Sequence, residues 1–179
     1  MNGLRVKLAI GVAVIGAVAT GTAAVAGDHG RLHTSLTGYE EVPALSTNAD
    51  GSFKATIARG GEAIDYELRY EDIESNVLQA HIHFGQEGVN GGVSAFLCSN
   101  LAAPPPGTQA CPPPPARITG TITAAQVVGP DVQGIGAGEL NELVRALRAG
   151  VAYANVHSAT YPGGEIRGQL DDDDRGHHD

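Results

Sequence analysis

The chain has 179 residues, a net charge of −9 and no run of basic residues, which excludes a protein that binds nucleic acid by neutralising phosphates. A hydrophobic fraction of 42% is too high for a chain that stays unfolded. No repeat of roughly 20 to 50 residues is visible, which excludes a solenoid. Glycine is 25 of the 179 residues, about twice its usual share, whereas aromatics are only 4% and Trp is absent.

Residues 1–26 read as a secretory leader. Arg5 and Lys7 precede an uncharged run, Leu8–Ala26, that ends in the small-residue pattern Ala24-Val25-Ala26. Cleavage after Ala26 is expected; a retained membrane anchor is the alternative, since the run is nearly long enough to span a bilayer. Losing Arg5 and Lys7 takes the net charge from −9 to −11. Residues 27–31 are expected to be a flexible N-terminus.

From there the chain reads in period two. Ile64, Tyr66, Leu68 and Tyr70 alternate with Asp65, Glu67 and Arg69, the pattern of a half-buried strand. Leu78, Ala80, Ile82 and Phe84 alternate with Gln79, His81 and His83 in the same way. Further strands are expected at 32–37, 52–58, 93–97, 117–122, 151–156 and 165–168. Gly60-Gly61, Gly91-Gly92 and Gly163-Gly164 stand between them, so the chain reads as an all-β sandwich or barrel.

Two stretches break the alternation. Seven of the 10 prolines fall between Pro104 and Pro115, and proline has no N–H for a sheet ladder, so this stretch lies outside the sheets. Cys98 and Cys111 flank it. An exported chain with two cysteines is expected to join them in a disulfide; two free or metal-binding thiols are the alternative. Further on, Leu140, Leu143, Val144 and Leu147 fall at i, i+3, i+4 and i+7, one face of a short helix over 139–148 that stops at Gly150. A shorter helical turn is expected at 124–128, capped by Thr123. The tail 171–179, opening with four consecutive Asp, is expected to be solvated and disordered.

Candidate chemistry rests on histidines. His81 and His83 lie two apart on a strand, about 7 Å apart at Cα and on one face, so their imidazoles can converge on one ion. His157 ends the strand 151–157 and joins them if the two strands are neighbours. Three imidazoles suit zinc or copper. Because Ala80 and Ile82 should face the core, the site is expected on the outer surface of the sheet or under a covering loop. The alternative is a structural hydrogen-bond network with no ion. Glu165 and Arg167 are expected to pair with each other or with neighbours, or to leave the arginine exposed to an anionic ligand. No serine or cysteine nucleophile motif and no phosphate-binding loop is present in the sequence.

Three segments, in this order, resemble one family. They are GYEEVPALSTNADG at 38–51, AHIHFGQEGVNGGV at 80–93 and AYANVHSATYPGGEIRGQL at 152–170. They look like the blocks of the chordin domain (CHRD) family, and the resemblance covers about residues 32–170. It implies an immunoglobulin-like antiparallel β-sandwich, distantly similar to copper–zinc superoxide dismutases. It also resembles the short exported bacterial members, which implies a secreted or periplasmic protein whose partners are extracellular or envelope proteins. It brings no settled biochemical activity. By the dismutase similarity, His81 and His83 resemble a copper-holding pair, His157 a third ligand and Arg167 a substrate-guiding arginine, with Asn155 and Glu165 beside them. A metal-bridging histidine within the domain and a His/Asp-rich zinc loop are both missing from the sequence. The expected function is therefore a non-catalytic binding or structural module, with a copper- or zinc-binding protein of weak redox activity as the alternative.

Overall fold

The computed structural model describes residues 30–172. The leader, most of the N-terminal segment and the tail beyond Asp172 lie outside the described residues. Eight strands follow in chain order: β1 (Arg31–Thr37), β2 (Asp50–Ile57), β3 (Ile64–Glu71), β4 (Val77–Phe84), β5 (Gly92–Ser99), β6 (Ala116–Ile122), β7 (Ala152–Ser158) and β8 (Ile166–Gln169). A two-residue strand, β9 (Asp171–Asp172), pairs with β1, so the ordered domain runs two residues into the segment expected to be a disordered tail. At the other end β1 begins at Arg31, within the segment expected to be flexible.

All pairings are antiparallel, in the order β5-β4-β7-β8-β1-β2-β3-β6. The sandwich is one sheet folded over on itself, with β5-β4-β7-β8 as one leaf and β1-β2-β3-β6 as the other. The far edges meet through a bridge between Ala95 and Val127 and a bond from the Val128 amide to the Ser94 carbonyl. Tyr66 of β3 also donates across the interior to the Leu97 carbonyl of β5. Alternation fills the space between the leaves. Leu36, Phe53, Ile64 and Leu68 from one leaf, and Ala80, Ile82, Leu97, Val156 and Ile166 from the other, are buried there. At roughly 2 kcal/mol for each large aliphatic side chain, this burial is the main force holding the leaves together.

The seam between the leaves depends on Gly168. A Cβ at this position would lie 2.2 Å from the Ser35 carbonyl oxygen of β1. Gly168→Ala must push the backbones apart and is expected to cost about 2 kcal/mol or more, measured as a lower urea midpoint; an unchanged midpoint would show that the seam yields freely.

Helix α1 (Leu140–Arg148) buries the face expected of it: Leu140, Leu143, Val144 and Leu147. Its Val144 lies against Gly61 in the β2–β3 turn, and Gly150 ends the helix with φ +68°. The turn at Ala124–Gln126 is a single 3-10 turn, with the Gln126 side chain accepting the Thr123 amide proton. Two further 3-10 turns, Gly38–Glu40 and Asp131–Gln133, have no helical period in the sequence to mark them.

Cys98 and Cys111 form a disulfide. The proline-rich loop it closes lies outside the sheets. The loop is also tied down by Asn100, whose side-chain amide donates to the Val77 and Cys111 carbonyls, and by Tyr70, whose hydroxyl donates to Pro112. Cys98→Ser with Cys111→Ser is expected to lower stability by about 3 kcal/mol in the chain-entropy account. Equal urea midpoints for the wild type and this double variant would show that these hydrogen bonds already define the loop.

Candidate metal centre

The period-two reading places Gln79, His81 and His83 on the face of β4 that points away from the core. The register supplies the rest of that face. Opposite Gln79, His81 and His83 stand His157, Asn155 and Tyr153 of β7. Beyond Asn155 and Tyr153 stand Arg167 and Gln169 of β8. The third histidine thus joins the pair because β4 and β7 are neighbours.

This outer face is not a surface. Segments 38–49, 85–91 and 159–165 lie over it, and every residue of β7 is buried. His81, His83 and His157 are only 2%, 7% and 6% exposed. Of the two placements expected for the site, the structure shows the one under covering loops. The half-buried reading of β4 needs correcting for the same reason, because the strand is covered on both sides.

The imidazoles are oriented by neutral backbone acceptors. His83 Nδ1 lies 3.0 Å from the Gly91 carbonyl, and His157 Nδ1 lies 3.1 Å from the Pro162 carbonyl. A carbonyl only accepts, so both Nδ1 atoms carry the proton and both Nε2 atoms present a lone pair. His81 Nδ1 lies 3.2 Å from His157 Nε2 and donates to it. That leaves the Nε2 atoms of His81 and His83 buried with no hydrogen-bond partner. An unpartnered buried acceptor costs on the order of 1–3 kcal/mol, so the triad is expensive without a ligand.

One ligand nitrogen from each of the three lies within 4.8 Å of the other two. A common point therefore lies no more than 4.8 Å divided by √3, about 2.8 Å, from all three. Closing to the ~2.1 Å of a metal–imidazole bond needs shifts of well under 1 Å. The triad could hold a metal ion. Its electrostatics suit that role, since ligation requires neutral imidazole. Burial, with His157 and His83 nearby, lowers the His81 pKa to about 2. Burial likewise lowers His83 to about 4, against the opposing effect of the Gly91 hydrogen bond, and it lowers His157.

The wall around the triad includes residues that the sequence reading passed over. Tyr153 stacks flat on His83, with centroids 4.8 Å apart and planes 4° from parallel. The Arg167 guanidinium lies over the Tyr153 ring, 3.4 Å from its centroid. Phe96 packs edge-on against His81 at 4.4 Å. Tyr153 was visible by period, two positions before Asn155 and four before His157. Glu41 had no such signal. It reaches the site from the first covering segment and accepts a 2.6 Å bond from the Asn155 side-chain amide, whose other proton goes to the Ile166 carbonyl. Burial raises its pKa to about 7, partly offset by the Asn155 bond and the Arg167 charge.

Arg167 and Glu165 need correction. Arg167 is 2% exposed, so it offers no guanidinium to a passing anion. It donates to the Val89 and Gln86 carbonyls and to Asn90 Oδ1, clamping the 85–91 segment. Glu165 is fully buried, one residue before β8, and it does not pair with Arg167. Its Oε1 accepts from the Thr47 hydroxyl and the Glu74 amide. Beside it, Gly164 has φ +134°, and a Cβ there would meet Glu41 Oε1 at 2.7 Å and Asn155 Oδ1 at 2.8 Å. Gly164→Ala is expected to destabilise by about 2 kcal/mol or more and to loosen the Glu41–Asn155 bond; melting temperatures that match the wild type would contradict this.

The family model of the CHRD domain matches residues 32–170. The chain belongs to the CHRD family. Comparison with curated proteins and with solved structures gave no match. Read as a CHRD domain, the three blocks of the sequence converge in space. The first block supplies Glu41, the second His81, His83 and the Gly91 carbonyl, and the third Tyr153, Asn155, His157, Glu165 and Arg167. The motif residues of this CHRD domain are therefore largely the walls of one buried site.

Proposed function

We propose that this CHRD domain is an exported, non-catalytic module of the extracytoplasmic space that carries a transition-metal ion, copper or zinc, on His81, His83 and His157. One observation carries the reading. Three neutral imidazoles converge under a cover, two of them with buried nitrogens that have no partner. A purely structural network would use those nitrogens. Export is supported by the leader pattern and by the disulfide between Cys98 and Cys111. A dismutase-like role is disfavoured, because the arginine that would guide an anion is turned inward onto the 85–91 segment.

Calorimetric titration of the mature metal-free chain with Zn²⁺ and Cu²⁺ tests this. One ion per chain is expected, bound more tightly than micromolar and lost in His81→Ala/His83→Ala. A His177→Ala/His178→Ala control removes the tail histidines from the result. Binding of Zn²⁺, Cu²⁺ and, measured anaerobically, Cu(I) that is in every case micromolar or weaker, or that survives in the site variant, overturns the proposal.

A further inference from the structure

On the reading that the triad holds a metal, we infer that its ion is cuprous copper, Cu(I), in preference to Zn²⁺ or Cu²⁺. The first argument is charge. All three donors are neutral, and among the described residues no carboxylate or thiolate joins them within bonding reach. Glu41 Oε1 accepts from Asn155 and Glu165 Oε1 from Thr47 and the Glu74 amide; Glu165 Oε2 is buried without a partner, and neither carboxylate falls within the cluster of ligand atoms that the triad forms. The desolvation cost of an ion rises with the square of its charge, so a divalent ion loses about four times what a monovalent one loses on entering this site. A site with no anionic ligand returns little of that difference.

The second argument is a fixed positive charge. Arg167 lies over Tyr153, which is stacked on His83, so a buried guanidinium sits one ring away from a ligand. Its repulsion acts twice as strongly on a 2+ ion as on a 1+ ion. The third argument is coordination number. Zn²⁺ takes four ligands, completed by water where the protein supplies three. Here the triad is covered by segments 85–91 and 159–165, with Phe96 and Tyr153 against the rings and all three histidines under 10% exposed. Cu(I), a closed-shell ion satisfied by two or three nitrogens, needs no water. The covered site also keeps oxidants away from it.

Affinities are measured anaerobically on the mature chain, with bicinchoninate competing for Cu(I) and a zinc-responsive dye competing for Zn²⁺. Cu(I) is expected to bind once per chain and at least about 100-fold more tightly than Zn²⁺. Arg167→Met removes the charge and keeps apolar bulk; the Cu(I)-to-Cu(II) preference is expected to fall about tenfold, equivalent to a 59 mV drop in reduction potential. Arg167→Lys is expected to retain most of it. Circular dichroism melts show whether each variant is folded, and the wild-type ratio stands independently of them. Zn²⁺ binding as tight as Cu(I) overturns the cuprous assignment and leaves the metal centre standing. Failure of every ion to bind overturns both.

Discussion

Acidifying the metal-free domain from pH 7 to pH 5 is expected to destabilise it. The cause is the buried triad. Histidine ordinarily titrates near 6.5, but burial holds His81 at about 2, His83 at about 4 and His157 below its ordinary value. The unfolded chain therefore takes up protons that the folded domain refuses. The stability due to these groups is fully present above pH 6.5 and is lost as the pH falls below it. Glu41 acts in the opposite direction. Its folded pKa is raised from 4.5 to about 7, so its contribution is present below 4.5 and is lost as the pH rises towards 7. Near pH 5.5 His81 and His83 oppose Glu41, a net difference of about one proton, and His157 acts in the same direction as the other histidines. Each proton is worth about 1.4 kcal/mol per pH unit, so the slope there is at least about 1.4 kcal/mol per unit. Over the two units the loss from His81, His83 and Glu41 is on the order of 2 kcal/mol and His157 adds to it, a large share of the roughly 5–15 kcal/mol that a domain of this size holds. Urea unfolding at pH 7, 6 and 5 measures it, and a midpoint that does not fall with pH would refute the account. Glu41→Gln removes the opposing group and is expected to steepen the fall.

The strands were legible because a sandwich leaf enforces alternation on its inner face. Ile64, Tyr66, Leu68 and Tyr70, or Ala80 and Ile82, have to be apolar to meet the opposite leaf. The helix was legible for the same reason at its own period, since Leu140, Leu143, Val144 and Leu147 must share one face. The triad was half legible. His81 and His83 lie together by period alone, but His157 joins them only through the β4–β7 pairing, which a single sequence does not display. The cover was not legible. Segments 38–49, 85–91 and 159–165 have no period, and their placement depends on bonds such as Arg167 to Val89 and Asn90 to Val42. That is why Arg167 reads in the sequence as an exposed cation or a salt-bridge partner, and why no period marks Glu41 as part of the site. The tail boundary was missed for a related reason. Asp171 and Asp172 pair with β1 through the backbone, a contact that a run of four Asp does not signal.

Saturating the site is expected to raise the melting temperature by about 10 °C or more. An ion that binds only the folded chain stabilises it by RT ln(1 + [L]/Kd), which is about 4 kcal/mol at a thousandfold excess over Kd. For a domain of this length each kcal/mol corresponds to roughly 2–4 °C. The contribution adds to an unfavourable starting point, since the metal-free triad leaves the His81 and His83 Nε2 atoms buried without partners. Ligation relieves that cost and forms metal–nitrogen bonds in exchange for the His81–His157 hydrogen bond. His83→Phe separates the two effects. Phenylalanine keeps the stack on Tyr153 and removes the unpartnered nitrogen, at the loss of the bond to Gly91. Its metal-free melting temperature is expected to stay within a few degrees of the wild type, and its response to metal is expected to vanish. Scanning calorimetry with and without the ion reads both quantities in one experiment. A His83→Phe domain that still gains 10 °C would show that His83 is not a ligand and remove the three-histidine centre described above. One that is unfolded without metal would show that the Gly91 bond, through which His83 holds the 85–91 segment, outweighs the cost of the unpartnered nitrogen.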